Sequence, residues 1–218
     1  MTPWVVILSA PSGGGKTAVT RALLERYPAR FGYSVSATTR APRPGERDGE
    51  AYHFVSAEEF RRRVAAGEFL EWAEYAGALY GTLRSEVDAV RDAGRHVLLD
   101  IDVQGARQVR AQLPAGDVIG IFVLPPDPET WMARLQGRGS DAPAALARRF
   151  AVAAREVEAA AEYQHIVVNA ELDTTVAEVV AIIDGGGTPG RRPADWERRT
   201  NALRRAALAA AGAQGEGT

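Results

Sequence analysis

One glycine-rich segment limits the fold of this chain more than any other feature. Residues 10–17, APSGGGKT, follow a β-rich apolar run at residues 4–9. They lead into residues 17–27, where apolar side chains recur every four positions until Pro28 ends the pattern. A strand, a glycine loop and a helix in this order begin a βαβ unit, and such units build a parallel sheet that is covered by helices.

The same segment has the composition of a phosphate-binding loop. Glycines let successive N–H groups curl towards phosphate oxygens, and the N-terminus of the next helix adds its dipole. In such loops the lysine reaches the β- and γ-phosphates, and the following hydroxyl ligates Mg²⁺. The usual first glycine is replaced here by alanine, which adds one methyl group. An ATP site is therefore predicted at Ala10, Pro11, Ser12, Gly13, Gly14, Gly15, Lys16 and Thr17. The alternative is a glycine turn that binds no ligand.

The basic residues single out one position of that loop. The chain has 26 of them, and all are arginine except Lys16. An ammonium is a compact point charge on a flexible stem, whereas a guanidinium is a wide planar fork. We interpret the single lysine as a requirement of the site, and coincidence is the alternative.

Composition and charge exclude several other classes of function. The chain has no cysteine, which rules out disulfides, thiolate metal sites and cysteine nucleophiles. Its three histidines lack the spacing of zinc ligands. A net charge of -2 argues against a protein that coats nucleic acid. The apolar run at residues 5–10 is too short for a signal-peptide core or a membrane span, so we expect a cytoplasmic protein.

Apolar strand patterns alternate with helical patterns in the rest of the chain. The strand patterns lie at residues 97–101, 118–124 and 166–168. The helical patterns lie at residues 103–112, 127–136, 143–163 and 173–184. Asp127 followed by Pro128 is a typical helix start. This alternation predicts an α/β fold with a parallel sheet and helices on both faces.

Three segments depart from this alternation. Residues 34–81 hold short alternating stretches, turn signals and a helix that begins at the capping-box pair Ser56 and Glu59, so we interpret them as a small mixed insertion. Residues 137–149 are an arginine-rich loop that leads into a helix. After residue 184, a linker rich in glycine and proline precedes an Ala- and Arg-rich segment. A solvated extension, partly ordered or helical, is favoured there over an RNA-binding tail.

Two carboxylates follow the strand pattern at residues 97–101. Asp100 and Asp102 lie at its carboxyl end, the edge at which open α/β sheets bind ligands. One of them, with Asp100 preferred, is expected to hold Mg²⁺ through a water molecule. The alternative is that these carboxylates cap the helix that follows.

Several motifs together resemble those of guanylate kinases. They are FGYSVSATTRAPRPGE at residues 31–46, Gly49 with Tyr52 and Phe54, EFLEW at 68–72, LYGT at 79–82, LDIDVQG at 99–105, and RLQGRG at 134–139. The resemblance covers residues 4–184 without a large gap. It implies a sheet of the P-loop NTPase type, a mixed α+β GMP-binding insertion and a lid, and the reaction of ATP with GMP to give ADP and GDP.

The resemblance also implies how the chain is organised. The core domain would comprise residues 1–33, 84–133 and 150–184. The GMP-binding insertion would be residues 34–83, the lid residues 134–149, and the C-terminal extension residues 185–218. The implied ligands are ATP, GMP and Mg²⁺, with no membrane or nucleic-acid partner, and the implied assembly is a monomer or a homodimer.

Residues that match the family's GMP site have the chemistry that site requires. The residues matching Arg40, Arg43, Tyr52 and Tyr80 hold the GMP phosphate, and two guanidinium forks with two phenol donors suit a dianion. The residue matching Glu71 accepts from guanine N1–H and the exocyclic amine. Those matching Ser36 and Thr82 read O6 and N7, and the one matching Asp102 supplements the recognition.

The resemblance assigns the donor side as well. Arg134, Arg138 and Arg149 match the family's lid arginines, which neutralise charge on the transferred phosphoryl group together with Lys16. Asn169 matches a residue that contacts adenine. Two alternatives stay open: a kinase of the same superfamily with another acceptor, such as a ribose bisphosphate, and a non-catalytic domain of the kind that binds phosphopeptides in scaffold proteins.

Overall fold

The computed structural model describes residues 3–75, 77–137 and 143–215. The strands are β1 (Val5–Ser9), β2 (Phe31–Tyr33), β3 (Ala37–Thr38), β4 (His53–Phe54), β5 (Phe69–Tyr75), β6 (Ala78–Leu83), β7 (His96–Asp100), β8 (Val118–Leu124) and β9 (His165–Val168). The helices are α1 (Lys16–Arg26), α2 (Ala57–Ala65), α3 (Arg84–Asp92), α4 (Val103–Gln112), α5 (Pro128–Gln136), α6 (Pro143–Glu158), α7 (Leu172–Asp184) and α8 (Trp196–Gly215).

The strands form two sheets within the described residues. The larger has the order β2-β7-β1-β8-β9, with β2 parallel to β7 and β8 parallel to β9. The smaller is mixed and has the order β4-β3-β6-β5, in which β5 and β6 form an antiparallel hairpin. Helices pack on the larger sheet, α3 against β7 and α7 against β9. The predicted α/β fold is confirmed, together with its second, mixed sheet.

The chain divides into two compact units. The first comprises Met1–Ile7 and Leu23–Val118 and includes the mixed sheet. That sheet has a small core of its own, in which the rings of Phe60 and Phe69 stack with their centres 4.4 Å apart beside the buried Leu83. This core fixes the hairpin of β5 and β6, whose side chains include several of the predicted GMP-binding residues.

The second unit comprises Leu8–Ala22 and Ile119–Thr218. Its core contains β8, with residues 121–124 fully buried, and the side chains of Trp131, Phe150 and Tyr163, which have no exposed surface. The phosphate loop lies in this unit, as do α5, α6 and α8. The phosphate loop and these helices therefore belong to one compact unit.

Helix starts follow the chemistry of the residues that precede them. Asp127 caps α5 by accepting from the N–H of Thr130 at 2.7 Å, as its sequence predicts. Ser56 caps α2 by accepting from the N–H of Glu59 at 3.1 Å. The carboxylate of Glu59 pairs with arginines one turn on instead of turning back to Ser56, so only half of the predicted capping box forms.

The segment after residue 184 contains a helix, which the sequence allows for, and that helix is packed rather than solvated. Its first part lies along β9, because the N–H of Ile166 donates to the carbonyl of Arg191 at 2.8 Å. Its second part is α8, in which Leu203 and Ala207 have no exposed surface. A stripe with this spacing buries one face of a helix against a neighbour, and α8 packs on α6. None of the helices in the described ranges has the length and apolar composition needed to cross a membrane.

Candidate active site

The phosphate loop has the backbone shape that an anion cradle requires. Gly13 and Gly15 have φ angles of +76° and +92°, a region that side chains with a Cβ rarely adopt. A Cβ on Gly15 would also lie 2.2 Å from Nδ2 of Asn169, so glycine is required there on two grounds. Within the described part of the chain, the N–H groups of Gly13, Gly15 and Thr17 have no protein acceptor. Such a row of N–H groups before a helix binds phosphate.

Three side chains hold the loop in this shape. The N–H of Ser12 donates to Oε2 of Glu156 at 2.7 Å, and its carbonyl accepts from Nε1 of Trp131 at 2.7 Å. The side-chain amide of Asn169 donates to the carbonyl of Gly14 at 3.1 Å. The resemblance had assigned Asn169 to adenine, and the structure shows its amide bound to the loop. Sequence reasoning missed Glu156 and Trp131, which lie far from Ser12 in the sequence.

A cavity of about 480 Å³ opens beside the loop. Its lining comprises Gly13, Gly15, Ala18, Arg134, Gly137, Asn169, Ala170 and Leu172. A volume of this size suits a nucleotide-sized ligand. The loop, one predicted lid arginine and the predicted adenine-side residue therefore lie around one cavity.

The structure describes two of the three predicted lid arginines. Arg134 lies in the last turn of α5, and its Nη1 is 3.7 Å from the point where a Cβ on Gly15 would lie. Arg149 lies on α6, and its Nη1 donates to the carbonyl of Leu135 at 3.1 Å. Arg138 falls outside the described residues. The structure thus brings Arg134 to the phosphate loop and holds Arg149 at the end of α5.

The first turn of α1 carries the remaining donor-site groups. Lys16 is half-buried there, and Thr17 is exposed. Within the described residues, the Thr17 hydroxyl makes no hydrogen bond to another protein group. The described residues contain no cluster of three histidine or carboxylate side chains that could hold a metal by themselves. A lone hydroxyl fits Mg²⁺, which keeps several waters and binds through substrate phosphates rather than in an all-protein cage.

The predicted GMP-phosphate residues lie mostly in one cluster. The guanidinium carbon of Arg40 is 5.4 Å from the centre of the Tyr52 ring, and the rings of Tyr52 and Tyr80 are 5.9 Å apart. Nη2 of Arg40 donates to Glu46 at 2.9 Å, and the backbone N–H of Arg43 donates to the same carboxylate at 2.7 Å. These two hydrogen bonds lower the pKa of Glu46 below its usual range. Glu46, which the sequence did not single out for this role, therefore orients both arginine positions.

The predicted guanine-binding residues surround a buried carboxylate. Glu71 is 8% exposed, and its Oε1 accepts from the hydroxyl of Thr82 at 2.6 Å. Burial raises the pKa of Glu71, the Thr82 hydrogen bond opposes that rise, and the charge of Asp102 adds to it. A Cβ on Gly105 would lie 2.9 Å from Oε2 of Glu71, so glycine at this place in α4 leaves space for the carboxylate.

The two aspartates at the carboxyl end of β7 differ in what they contact. Asp100 is the last residue of β7 and is partly exposed. Asp102 is the N-cap of α4, and its Oδ1 accepts from the N–H of Gly105 at 2.8 Å. Asp102 therefore caps the helix that follows, which was the alternative to a role in binding Mg²⁺. Its charge also raises the pKa of Glu71. Ser36 is partly exposed just before β3, and its carbonyl accepts from the N–H of His53 at 2.9 Å.

Comparison with known proteins agrees with this geometry. A sequence profile of the family described as guanylate kinase matches residues 2–185. The guanylate kinase of Paramagnetospirillum magneticum is 50% identical over 179 residues, which are 82% of this chain and 83% of that protein. The guanylate kinase of Synechococcus elongatus is 47% identical over 82% of this chain and 96% of its own length. The crystal structure of the guanylate kinase from Anaplasma phagocytophilum has a TM-score of 0.67 and 33% identity, covering 86% of this chain and 87% of that one.

Proposed function

This chain belongs to the guanylate kinase family, and we propose that it phosphorylates GMP at the expense of ATP, with Mg²⁺ and the residues assigned below. It is an enzyme, a phosphotransferase of that family. The family supports the overall reaction, ATP and GMP giving ADP and GDP. The role of each residue is our inference from the site.

The observation that carries the choice of acceptor is the buried carboxylate of Glu71. Guanine presents an N1–H and a 2-amino group side by side, and a carboxylate accepts from both. Adenine presents an acceptor at N1 and has no 2-amino group, so it leaves the buried carboxylate without donors. A site built for such donors rejects the analogue that lacks them by about a thousandfold or more.

The Thr82 hydroxyl has a role beside Glu71 that its residue type alone does not reveal. A hydroxyl has one proton, and that of Thr82 is donated to Glu71. Guanine O6 and N7 are both acceptors and need a donor. We infer that Thr82 orients and stabilises the Glu71 carboxylate, and that the Ser36 hydroxyl donates to the base.

The phosphate of GMP is assigned to the cluster of Arg40, Arg43, Tyr52 and Tyr80. A guanidinium has five N–H donors, and Arg40 uses some of them on Ala41 and Glu46. Those two contacts fix the plane of the fork, so its remaining donors can meet a phosphate with little loss of side-chain entropy. The phenol of Tyr80, whose ring centre lies 5.9 Å from that of Tyr52, adds a further donor.

On the donor side, Lys16 and the loop N–H groups of residues 10–17 would hold the β- and γ-phosphates. Thr17 would ligate Mg²⁺ directly, with Asp100 acting through water, and the bound ion supplies neutralising charge to the phosphates. Arg134, Arg138 and Arg149 would neutralise charge on the transferred group. In this assignment residues 134–149 act as a lid and residues 34–83 as the GMP-binding insertion.

In phosphoryl transfer the protein mainly positions the reactants and stabilises charge, and it forms few covalent bonds itself. The acceptor oxygen of GMP must lie in line with the γ-phosphorus, charge must be neutralised, and water must be kept away. We expect no covalent intermediate on a side chain. Binding, orientation and charge neutralisation by this chain's own residues account for the reaction.

A panel of acceptors in a coupled assay of ADP release tests the proposal. GMP should be the preferred acceptor, and IMP, which lacks only the 2-amino group, should be weaker. AMP and a ribose bisphosphate should be inactive. A ribose bisphosphate that outperformed GMP would assign the chain to another kinase class. Absence of turnover with every acceptor, with phosphopeptide binding retained, would assign it to the non-catalytic domains.

A further inference from the structure

The backbone of Ser12 is held by side chains from two neighbouring helices. Its N–H donates to Glu156 of α6, and its carbonyl accepts from Trp131 of α5. Side chains therefore fix two successive peptide groups, the one before Ser12 through its N–H and the one after Ser12 through its carbonyl, at 2.7 Å each. The next residue, Gly13, begins the row of N–H groups that we assign to phosphate. The position of α5 and α6 therefore sets where that row begins.

The C-terminal helix α8 packs on these same two helices. It lies along α6 with Leu203 and Ala207 fully buried, and Arg204 pairs with Glu158 of α6. It also packs on α5, and Nη1 of Arg199 donates to the carbonyl of Pro126 at 3.2 Å, just before α5 begins. One helix thus holds both helices that supply the contacts to Ser12.

The residue of α6 that contacts α8 is close in sequence to the residue that contacts the phosphate loop. Glu158 and Glu156 are two residues apart on one helix, the first bonded to α8 and the second to Ser12. An α-helix is a rigid element, so a displacement of one residue carries the other with it. α8 also lies beyond residue 185, the end of the match to the guanylate kinase family.

We propose that α8 sets the affinity for ATP by holding α6, and with it Glu156, against the phosphate loop. Glu156 is a positioning residue in this proposal, because it acts on phosphate through the backbone N–H of Ser12. The inference rests on the donor half of the proposed function and is independent of which acceptor the enzyme uses.

The first experiment measures binding of a non-hydrolysable ATP analogue by calorimetry, with no acceptor present. Glu156→Ala removes the acceptor of the Ser12 N–H and should weaken analogue binding about tenfold, as expected for loss of a hydrogen bond to a charged group. Glu156→Gln keeps an oxygen acceptor and should stay within about threefold of the unaltered chain. Affinity for GMP, measured separately, should not change in either variant. Unchanged analogue binding in Glu156→Ala would overturn the proposal.

The second experiment tests α8 through its exposed ion pair, where substitution leaves the buried core intact. Arg204→Glu places two like charges together and should weaken analogue binding about threefold. Adding Glu158→Arg reverses both charges and should restore it. Arg205→Glu makes the same charge change at an exposed position of the same helix and is the matched control. The proposal is overturned if Arg204→Glu binds the analogue as Arg205→Glu does, or if it loses analogue and GMP affinity equally.

The two experiments also separate this inference from the proposed function. A chain that binds the analogue normally but phosphorylates an acceptor other than GMP would contradict only the acceptor assignment. A chain that phosphorylates GMP while its Glu156 and Arg204 variants bind the analogue normally would contradict only the role of α8.

Discussion

Replacing Thr82 with valine keeps the shape of the side chain and removes the hydroxyl that donates to Glu71. A hydrogen bond to a charged group contributes about 1.5–3 kcal/mol, and the upper part of that range applies to buried groups. Thr82 is 1% exposed and Glu71 is 8% exposed, so water cannot replace the lost donor. A loss of about 2–3 kcal/mol corresponds to GMP binding weaker by about 30- to 150-fold.

The same substitution has a defined effect on pH dependence. Burial already raises the pKa of Glu71, and the Thr82 hydroxyl opposes that rise, so Thr82→Val should raise this pKa further. The carboxylate binds guanine, and it is present above the pKa and lost as pH falls through it. The acidic limb of kcat/KM for GMP should therefore move to higher pH, while the affinity for ATP stays unchanged.

A coupled assay of ADP release over a range of pH measures both effects, with Thr82→Ser as the control. Serine keeps the hydroxyl and should restore most of the activity and the original pH profile. Our reasoning is refuted if Thr82→Val retains the unaltered kcat/KM for GMP at every pH, or if its acidic limb moves to lower pH.

Further predictions concern the loop, the carboxylate and the metal. Lys16→Met should lower kcat by about a thousandfold with GMP affinity intact in calorimetry, and full activity would contradict the donor assignment. Glu71→Gln should abolish GMP binding yet raise the thermal stability of the ligand-free protein at pH values above the raised pKa of Glu71. The raised pKa of Glu71 means that its contribution to stability is lost as pH rises through that pKa, and identical melting profiles would contradict this. Gly15→Ala should cost about 1–3 kcal/mol in unfolding free energy because of its φ of +92° and the nearby Asn169, with Gly116→Ala as an unstrained control. Chelation of Mg²⁺ should stop turnover but leave GMP binding unchanged, and turnover that persists would exclude the metal.

Much of the fold could be predicted because local chemistry marks where its elements begin and end. The sequence predicts a strand at residues 118–124, and β8 spans Val118–Leu124. It predicts a helix at residues 103–112, and α4 spans Val103–Gln112 behind its cap, Asp102. Continuous apolar runs and capping residues are local signals, so a single sequence reveals them.

Contacts between distant parts of the chain could not be predicted in this way. Trp131 fits an apolar helix face, and Glu156 fits a solvated one, so neither residue type indicates a bond to Ser12. Those bonds join positions 119 and 144 residues apart. Periodicity describes which face of an element is apolar and does not say which loop that face meets.

The candidate site shows the same division. Lys16 and the glycines of the loop could be identified from the segment alone, because phosphate binding needs those residue types in that order. The partner of Thr82 could not, because a hydroxyl can donate to a base or to a carboxylate with equal ease. The hairpin of β5 and β6 pairs Glu71 with Thr82 across the two strands, so the Thr82 hydroxyl donates to the carboxylate.

Trp131 gives the phosphate loop an optical signal of its own. Of the chain's four tryptophans, Trp131 is the one with no exposed surface. Its indole N–H donates to the Ser12 carbonyl, which holds the ring in place. A buried, immobile indole emits at shorter wavelength than an exposed one and contributes sharp near-ultraviolet dichroism. We therefore expect nucleotide binding at the loop to change the emission and dichroism of Trp131, which can be measured on the unlabelled protein without turnover.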